Sequence, residues 1–368
     1  MKILIIVANP KTDSFSFAMA NKYKELTLAK KHEVEMIDLY RSVLLSILLA
    51  LSILLLSCEG GSSLLDLKGI DAEFIEDISY DKYSDTKFDI WLPKSETPTG
   101  LLIFIHGGGF TSGDKSIVRK NGQWDFPEEI RTLLSNGIAV ASINYRLLMK
   151  TGEDEGVIKC LNDSKRALQY IRYNADKYNI DKTRIILAGT SAGAGTSLWI
   201  AANDDLKDLQ NSDLVLREST RVSGVALRET QASYNLEDKW INDVFIDYGV
   251  SWNALLIINK DEIFQLYGVF SKAEYETPRI DSYRKTVDML DLITSDDPEI
   301  WEENILIDLK SPTNTDIFNH HAYHVREIKE KTDLMGVANV SYYGKDPIIY
   351  SDPSEETYTE FIIRKIKE

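Results

Sequence analysis

Cysteine is almost absent from this chain, with two residues in 368. No disulfide framework can hold the fold, so a packed apolar core must do it. Basic residues are outnumbered, 42 Lys and Arg against 58 Asp and Glu, for a net charge of −16. A surface of that sign repels phosphate backbones, which argues against nucleic acid as a partner and makes solubility the plain consequence of the acidity. Histidine is scarce too: His32, His106, His320, His321 and His324 are the five. There is no internal repeat. The uncharged run at residues 43–56 is shorter than the roughly 20 residues a membrane-spanning helix needs. What is present, 43% hydrophobic and 10% aromatic residues, suits one large α/β domain, or one domain plus appendages.

The first 63 residues read as two pieces. Residues 1–41 open with an apolar run, Ile3-Leu4-Ile5-Ile6-Val7. A polar turn at 9–16, an amphipathic helix and a second apolar run at 34–40 follow. That order resembles the opening of flavodoxin-like NAD(P)H:quinone oxidoreductases, where the turn after the first strand touches flavin phosphate. A fragment of this length cannot bury a core or form the crevice of a doubly wound sheet, so no flavin is expected. Residues 42–63 are a different object. The run 43–56 suits the apolar region of a signal peptide, and Leu55-Leu56-Ser57-Cys58 matches a lipobox. Cys58 is then the lipidation site, followed by a Glu59-Gly60-Gly61-Ser62-Ser63 tether. Translation from Met36 would place this signal at an N-terminus and leave residues 1–35 as a fusion or start-site artefact. The expected location is a bacterial cell envelope, lipid-anchored. It is the cytoplasm if the internal signal is not used, in which case 43–56 is a core helix.

From residue 64 the chain reads as one domain. Residues 73–79 and 87–92 look like an antiparallel lead-in. Strand signals follow at 101–105, 138–145, 184–188 and 222–227, with a helical period notably over 160–178. An irregular aromatic stretch at 240–270 is expected as a partial cap. A strand at 305–309, a helix at 323–335, a strand at 340–343 and a helix from about residue 355 close the pattern. Alternation of this kind implies a mainly parallel sheet with helices on both faces.

Two motifs carry chemistry. The run 184–188 ends in Gly189-Thr190-Ser191-Ala192-Gly193, a G-x-S-x-G between a strand and a helix, as a nucleophile elbow requires. The run 101–105 ends in His106-Gly107-Gly108-Gly109, the H-G-G-G loop that supplies an oxyanion hole. With Asn144-Tyr145-Arg146-Leu147 and Asp296-Asp297-Pro298 as weaker support, residues 70–368 resemble α/β-hydrolase esterases. The nearest groups are the hormone-sensitive-lipase-like and the acetyl-xylan or feruloyl-esterase-like ones. The resemblance implies an α/β-hydrolase fold and a carboxylic ester hydrolase needing no cofactor and no metal. Ser191 would be its nucleophile, with N–H groups of Gly107, Gly108 and Ala192 on the developing oxyanion.

The partners of that serine follow it in the order acid, then histidine. His32 lies in the N-terminal fragment and His106 braces the oxyanion loop, so the base comes from His320, His321 or His324. His320 and His321 are favoured, because they adjoin the loop that carries Asp316, the acid candidate. Asp308 lies within the expected strand, and Asp297 precedes Pro298 in a turn that is structural in the family. Here the chain departs from the pattern. The family places its histidine after the last strand, and residues 344–350 contain none. The leading reading is a serine hydrolase of small acyl esters, acetyl or feruloyl esters of polysaccharide among them. The alternatives are a prolyl-oligopeptidase-like peptidase, against which the H-G-G-G loop argues, and a binding protein that keeps the elbow without its base.

Overall fold

The computed structural model describes residues 2–7, 33–38, 65–305, 311–345 and 347–368. The run 43–56, Cys58, His32 and Asp308 lie outside them. Two compact units divide the chain, Met1–Leu64 and Leu65–Glu368. In the first, β1 (Lys2–Val7) and β2 (Glu33–Asp38) pair in parallel, Lys2 opposite Glu33 and Val7 opposite Asp38.

The second unit is built on nine strands: β3 (Ala72–Ser79), β4 (Lys87–Pro93), β5 (Thr99–Ile105), β6 (Ala139–Ile143), β7 (Ile180–Thr190), β8 (Gly224–Arg228), β9 (Glu299–Asn304), β10 (Asn339–Tyr343) and β11 (Tyr350–Ser351). Their order across the sheet is β11-β10-β9-β8-β7-β5-β6-β4-β3. From β6 to β10 every pairing is parallel; β3, β4 and β11 add antiparallel edges. All of β5 is buried, since a central parallel strand is covered on both faces. Its side chains alternate between two cores. Leu101, Ile103 and Ile105 join one, and Leu102 and Phe104 join the other.

The helices are α1 (Phe126–Ser135), α2 (Val157–Tyr173), α3 (Ala192–Ala202), α4 (Trp252–Leu266), α5 (Lys272–Tyr275), α6 (Pro278–Thr286), α7 (Met289–Leu292), α8 (Thr315–His320), α9 (Tyr323–Met335) and α10 (Tyr358–Lys367). Apolar residues of α1 and α10 fill one core; those of α2 and α3 fill the other. This is the α/β-hydrolase fold, with the sheet carrying its loops at the C-terminal ends of parallel strands.

Three features of the structure were not expected. One is β9, which ends at Asn304, whereas the strand expected at 305–309 falls, but for Ile305, outside the described residues. The acidic residues of β9 disguise it, and each has a partner. Ser341 Oγ donates to Glu302 at 3.0 Å, Arg228 Nε donates to Glu303 at 3.1 Å, and Arg364 Nη2 donates to Glu299 at 2.8 Å. Burial raises the Glu302 pKa well above the ordinary carboxylate range. The 240–270 stretch is not irregular throughout. Ser251 Oγ accepts from the Ala254 N–H and starts α4, which runs to Leu266. The third difference is α1, which was not anticipated. Its start is nevertheless written in the sequence: Asp125 accepts from the Glu128 N–H, Pro127 sits in the first turn, and Glu128 and Glu129 complement the helix dipole.

Candidate active site

Ser191 stands between β7 and α3 with φ 51° and ψ −121°. A non-glycine residue there is strained, and its neighbours hold it in place. The Ser191 N–H donates to the Arg228 carbonyl of the adjacent strand at 2.9 Å, and the Ser191 carbonyl accepts from the Gly195 N–H at 3.0 Å. Both motif glycines are required by close approach. A Cβ on Gly189 would lie 2.4 Å from the Gly193 carbonyl carbon, and one on Gly193 would lie 2.0 Å from the Ile105 oxygen. Both obstacles are backbone and cannot turn aside. Gly193→Ala should therefore cost about 3 kcal/mol in urea unfolding, the upper range for overpacking. Gly122→Ala, where no atom lies within 4 Å, serves as the neutral control. Equal stability of the two variants would mean that α3 does not rest on the end of β5.

The H-G-G-G loop lies against this elbow. A Cβ on Gly107 would be 2.7 Å from the Thr190 oxygen, and Gly108 has φ 101°. The His106 ring stacks on Tyr145 at 4.4 Å between centroids, and its Nδ1 lies 2.8 Å from the Gly107 carbonyl. Tyr145 in turn donates its hydroxyl to the His106 carbonyl at 3.0 Å. Asn144-Tyr145-Arg146-Leu147 is thus a brace: Tyr145 holds the loop, and Arg146 Nε donates to Asp163 at 2.7 Å. Burial lowers the His106 pKa, which suits a neutral structural ring. Gly107 and Gly108 line a cavity with Ser191. Ala192 opens α3, where a first-turn N–H has no partner within the helix.

The three neighbouring histidines have separate environments. His320 Nε2 lies 2.8 Å from Ser191 Oγ, and His320 Nδ1 lies 2.9 Å from Asp316 Oδ1. A proton on Nδ1 donating to the carboxylate leaves the Nε2 lone pair facing the serine hydroxyl. His321, one residue on, points elsewhere. Its Nε2 lies 3.2 Å from the Tyr248 hydroxyl, and its Nδ1 accepts from the Tyr323 N–H at 3.1 Å. His324 is fully buried. Its Nδ1 accepts from the Ala232 N–H at 3.2 Å, so Nε2 carries the proton and donates to the Phe318 carbonyl at 2.7 Å. Burial pushes its pKa down to about 3, which keeps that arrangement neutral. The structure therefore brings Ser191, His320 and Asp316 together and keeps His321 and His324 apart from them. Asp297 instead accepts from Arg221 at 3.2 Å.

Asp316 and His320 share one six-residue helix, α8, spaced one turn apart. So short a helix cannot hold its own position. Asn314 caps it, accepting from the Ile317 N–H at 3.0 Å. Gln231 Nε2 donates to the Asn319 carbonyl at 2.8 Å, and Thr315 Oγ1 donates to Asn259 Oδ1 at a break in α4. With His324 these anchors come from three different segments. None carries a sequence motif, which is why they are visible only in three dimensions. Burial is the largest influence on His320 and lowers its pKa below 6.5, against the opposing pull of Asp316. The Asp316 side chain is 68% exposed, so solvent weakens that pull.

Residues 88–232, which include both the H-G-G-G loop and the elbow, match the BD-FAE family. An acetylcholinesterase-1 from Trittame loki is 31% identical over 132 residues, covering 33% of this chain and 22% of that protein. The chain spans between 14% and 30% of the length of such curated relatives. Among solved structures, a truncated carbohydrate esterase from gut microbiota superposes with a TM-score of 0.55 at 21% identity, covering 81% of this chain and 98% of that one. An acetyl ester-xyloside bifunctional hydrolase from Caldicellulosiruptor lactoaceticus superposes with a TM-score of 0.53 at 18% identity, covering 76% and 87%. The chain thus has the α/β-hydrolase fold, and its residues 88–232 are similar to the BD-FAE family.

Proposed function

We propose that the protein is a serine carboxylester hydrolase acting on small acyl esters, with acetyl or feruloyl esters of polysaccharide as the substrate class. The observation that carries this reading is the 2.8 Å approach of His320 Nε2 to Ser191 Oγ, with Asp316 on the far side of the ring. In this mechanism His320 takes the hydroxyl proton as Ser191 Oγ attacks the ester carbonyl. The carbonyl oxygen becomes negative within reach of the Gly107, Gly108 and Ala192 N–H groups. The imidazolium, steadied by Asp316, gives its proton to the leaving alcohol. Water then repeats the sequence on the acyl-enzyme. A placed base favours this reading over a binding protein with an idle elbow, and the fold of carbohydrate esterases supports the substrate class. A fluorophosphonate probe should label the peptide containing Ser191. Absence of labelling in active, folded protein would overturn the mechanism.

The pH dependence follows from the ring that must be neutral. His320 accepts a proton only when deprotonated, and burial holds its pKa below the ordinary 6.5. Activity should therefore be level at pH 7 and fall on acidification, with a midpoint below 6.5 in kcat/KM. Asp316→Asn removes the group that raises this pKa, so its midpoint should move lower still. A wild-type midpoint above 6.5 would contradict the assignment of His320.

We also propose that the mature protein begins at Cys58, held at a bacterial envelope by a lipid on that residue. The uncharged run 43–56 and the lipobox at 55–58 support it. Expressed in a bacterium, the protein should enter the detergent phase of a phase-separation assay, and Cys58→Ser should return it to the aqueous phase. A soluble product still carrying Met1 would refute this.

A further inference from the structure

Ser191 opens onto two cavities. One, of about 300 Å³, is lined by Ser191 and Ala192 together with Phe110, Tyr234, Leu236 and Trp240. The other, of about 280 Å³, is lined by Ser191, Gly107 and Gly108, and also by His320 and Asp316. In acyl transfer the leaving oxygen must depart within reach of the imidazole that protonates it, whereas the acyl chain need not approach that ring. The acid–base pair lines only the second cavity. That makes it the alcohol side and the aromatic cavity the acyl side.

The alcohol side has a rigid wall. Trp124 lines it, half-buried. The ring centroid lies 6.0 Å from that of Phe126, and the Arg228 guanidinium lies over the indole at 5.2 Å. Arg228 is itself held between Glu129 at 3.0 Å and Glu303 at 3.1 Å. Beside the indole, exposed Gln123 offers an amide donor and acceptor. Opposite in chemistry is Glu229, a buried carboxylate that accepts from the Ile305 N–H at 3.3 Å. Among the described residues this lining holds two carboxylates, Glu229 and Asp316, and no Lys or Arg. An anionic alcohol would be repelled there. For a cationic one, the Arg228 guanidinium over the same indole at 5.2 Å offsets the attraction of the two carboxylates. A neutral sugar ring meets neither cost: its apolar C–H face packs on the indole, and its hydroxyls pair with amide and carboxylate.

We propose, resting on the esterase reading above, that Trp124 and Gln123 form the leaving-alcohol subsite and that this subsite takes a neutral sugar ring. The test compares three acetyl esters, an acetylated xylo-oligosaccharide, ethyl acetate and acetylthiocholine, on the full chain. In Trp124→Ala the ratio of kcat/KM for the oligosaccharide to that for ethyl acetate should fall about tenfold, and Trp124→Phe should restore most of it. An unchanged ratio, or a selective loss on acetylthiocholine, would overturn the proposal. So would wild-type turnover of ethyl acetate without turnover of the oligosaccharide. Wild-type protein inert toward all three esters would instead bring down the esterase reading itself, and the subsite with its premise.

Discussion

Ser191→Ala should lower kcat/KM for a p-nitrophenyl acyl ester by about 10⁴-fold or more while leaving the urea midpoint nearly unchanged. The two halves of this expectation have separate causes. In the proposed mechanism the hydroxyl forms the acyl bond, with His320 Nε2 at 2.8 Å to remove its proton. Its removal leaves only transition-state binding by the oxyanion groups. Stability is spared because the strain at φ 51° belongs to the backbone, and alanine bears it as serine does. The hydrogen bonds that fix the turn, from Ser191 N–H to Arg228 and from Gly195 N–H to Ser191, are main-chain bonds that the substitution keeps. Wild-type turnover in this variant would move the nucleophile elsewhere.

The strand–turn–helix at Ser191 and the H-G-G-G loop packed against it were legible in the sequence because their geometry is local. A serine forced to positive φ needs glycines on both sides, since the neighbouring backbone leaves 2.4 Å and 2.0 Å for a Cβ at Gly189 and Gly193. That need is satisfied within five consecutive residues, so a short motif records it. The sheet was legible for a related reason. Apolar strands such as β5 must be buried on both faces, and the runs between them have helical period. Where a strand's burial rests on long-range pairing, the signal vanishes. The three glutamates of β9 look like a loop until Ser341, Arg228 and Arg364 are brought beside them.

The acid and base proposed here were legible only as a set. Scarcity of histidine narrowed the base to residues 320, 321 and 324, but nothing in the sequence orders adjacent side chains His320 and His321. His320 is the last residue of α8 and His321 its extended cap, with φ −62° and ψ 141°, so which one meets Ser191 depends on where α8 ends and how it is rolled. That roll is set by Gln231 at Asn319, Asn259 at Thr315 and His324 at Phe318, contacts that span from 6 to 88 positions in sequence. Such anchors recruit ordinary polar residues to carbonyls and hydroxyls and leave no pattern to read.

Alanine replacement of each histidine in turn should separate their roles. His320→Ala should match Ser191→Ala, losing about 10⁴-fold in kcat, because nucleophile and base act as one unit and neither retains value alone. Added imidazole should recover part of that loss, since a small base can enter the cavity of about 280 Å³ that the ring lines. His321→Ala should keep turnover within about tenfold of wild type and lose about 1 kcal/mol in stability, the usual worth of the bonds it makes to Tyr248 and Tyr323. His324→Ala should sit between them. It strands the Ala232 N–H and the Phe318 carbonyl, both buried around the ring, at a cost of about 2–3 kcal/mol, and frees one anchor of α8. Imidazole cannot help there, because the lost group positions a helix and carries no proton in the reaction. If His321→Ala proves the inactive variant and His320→Ala the mild one, the end of α8 is arranged otherwise than described, and Asp316 is not the acid.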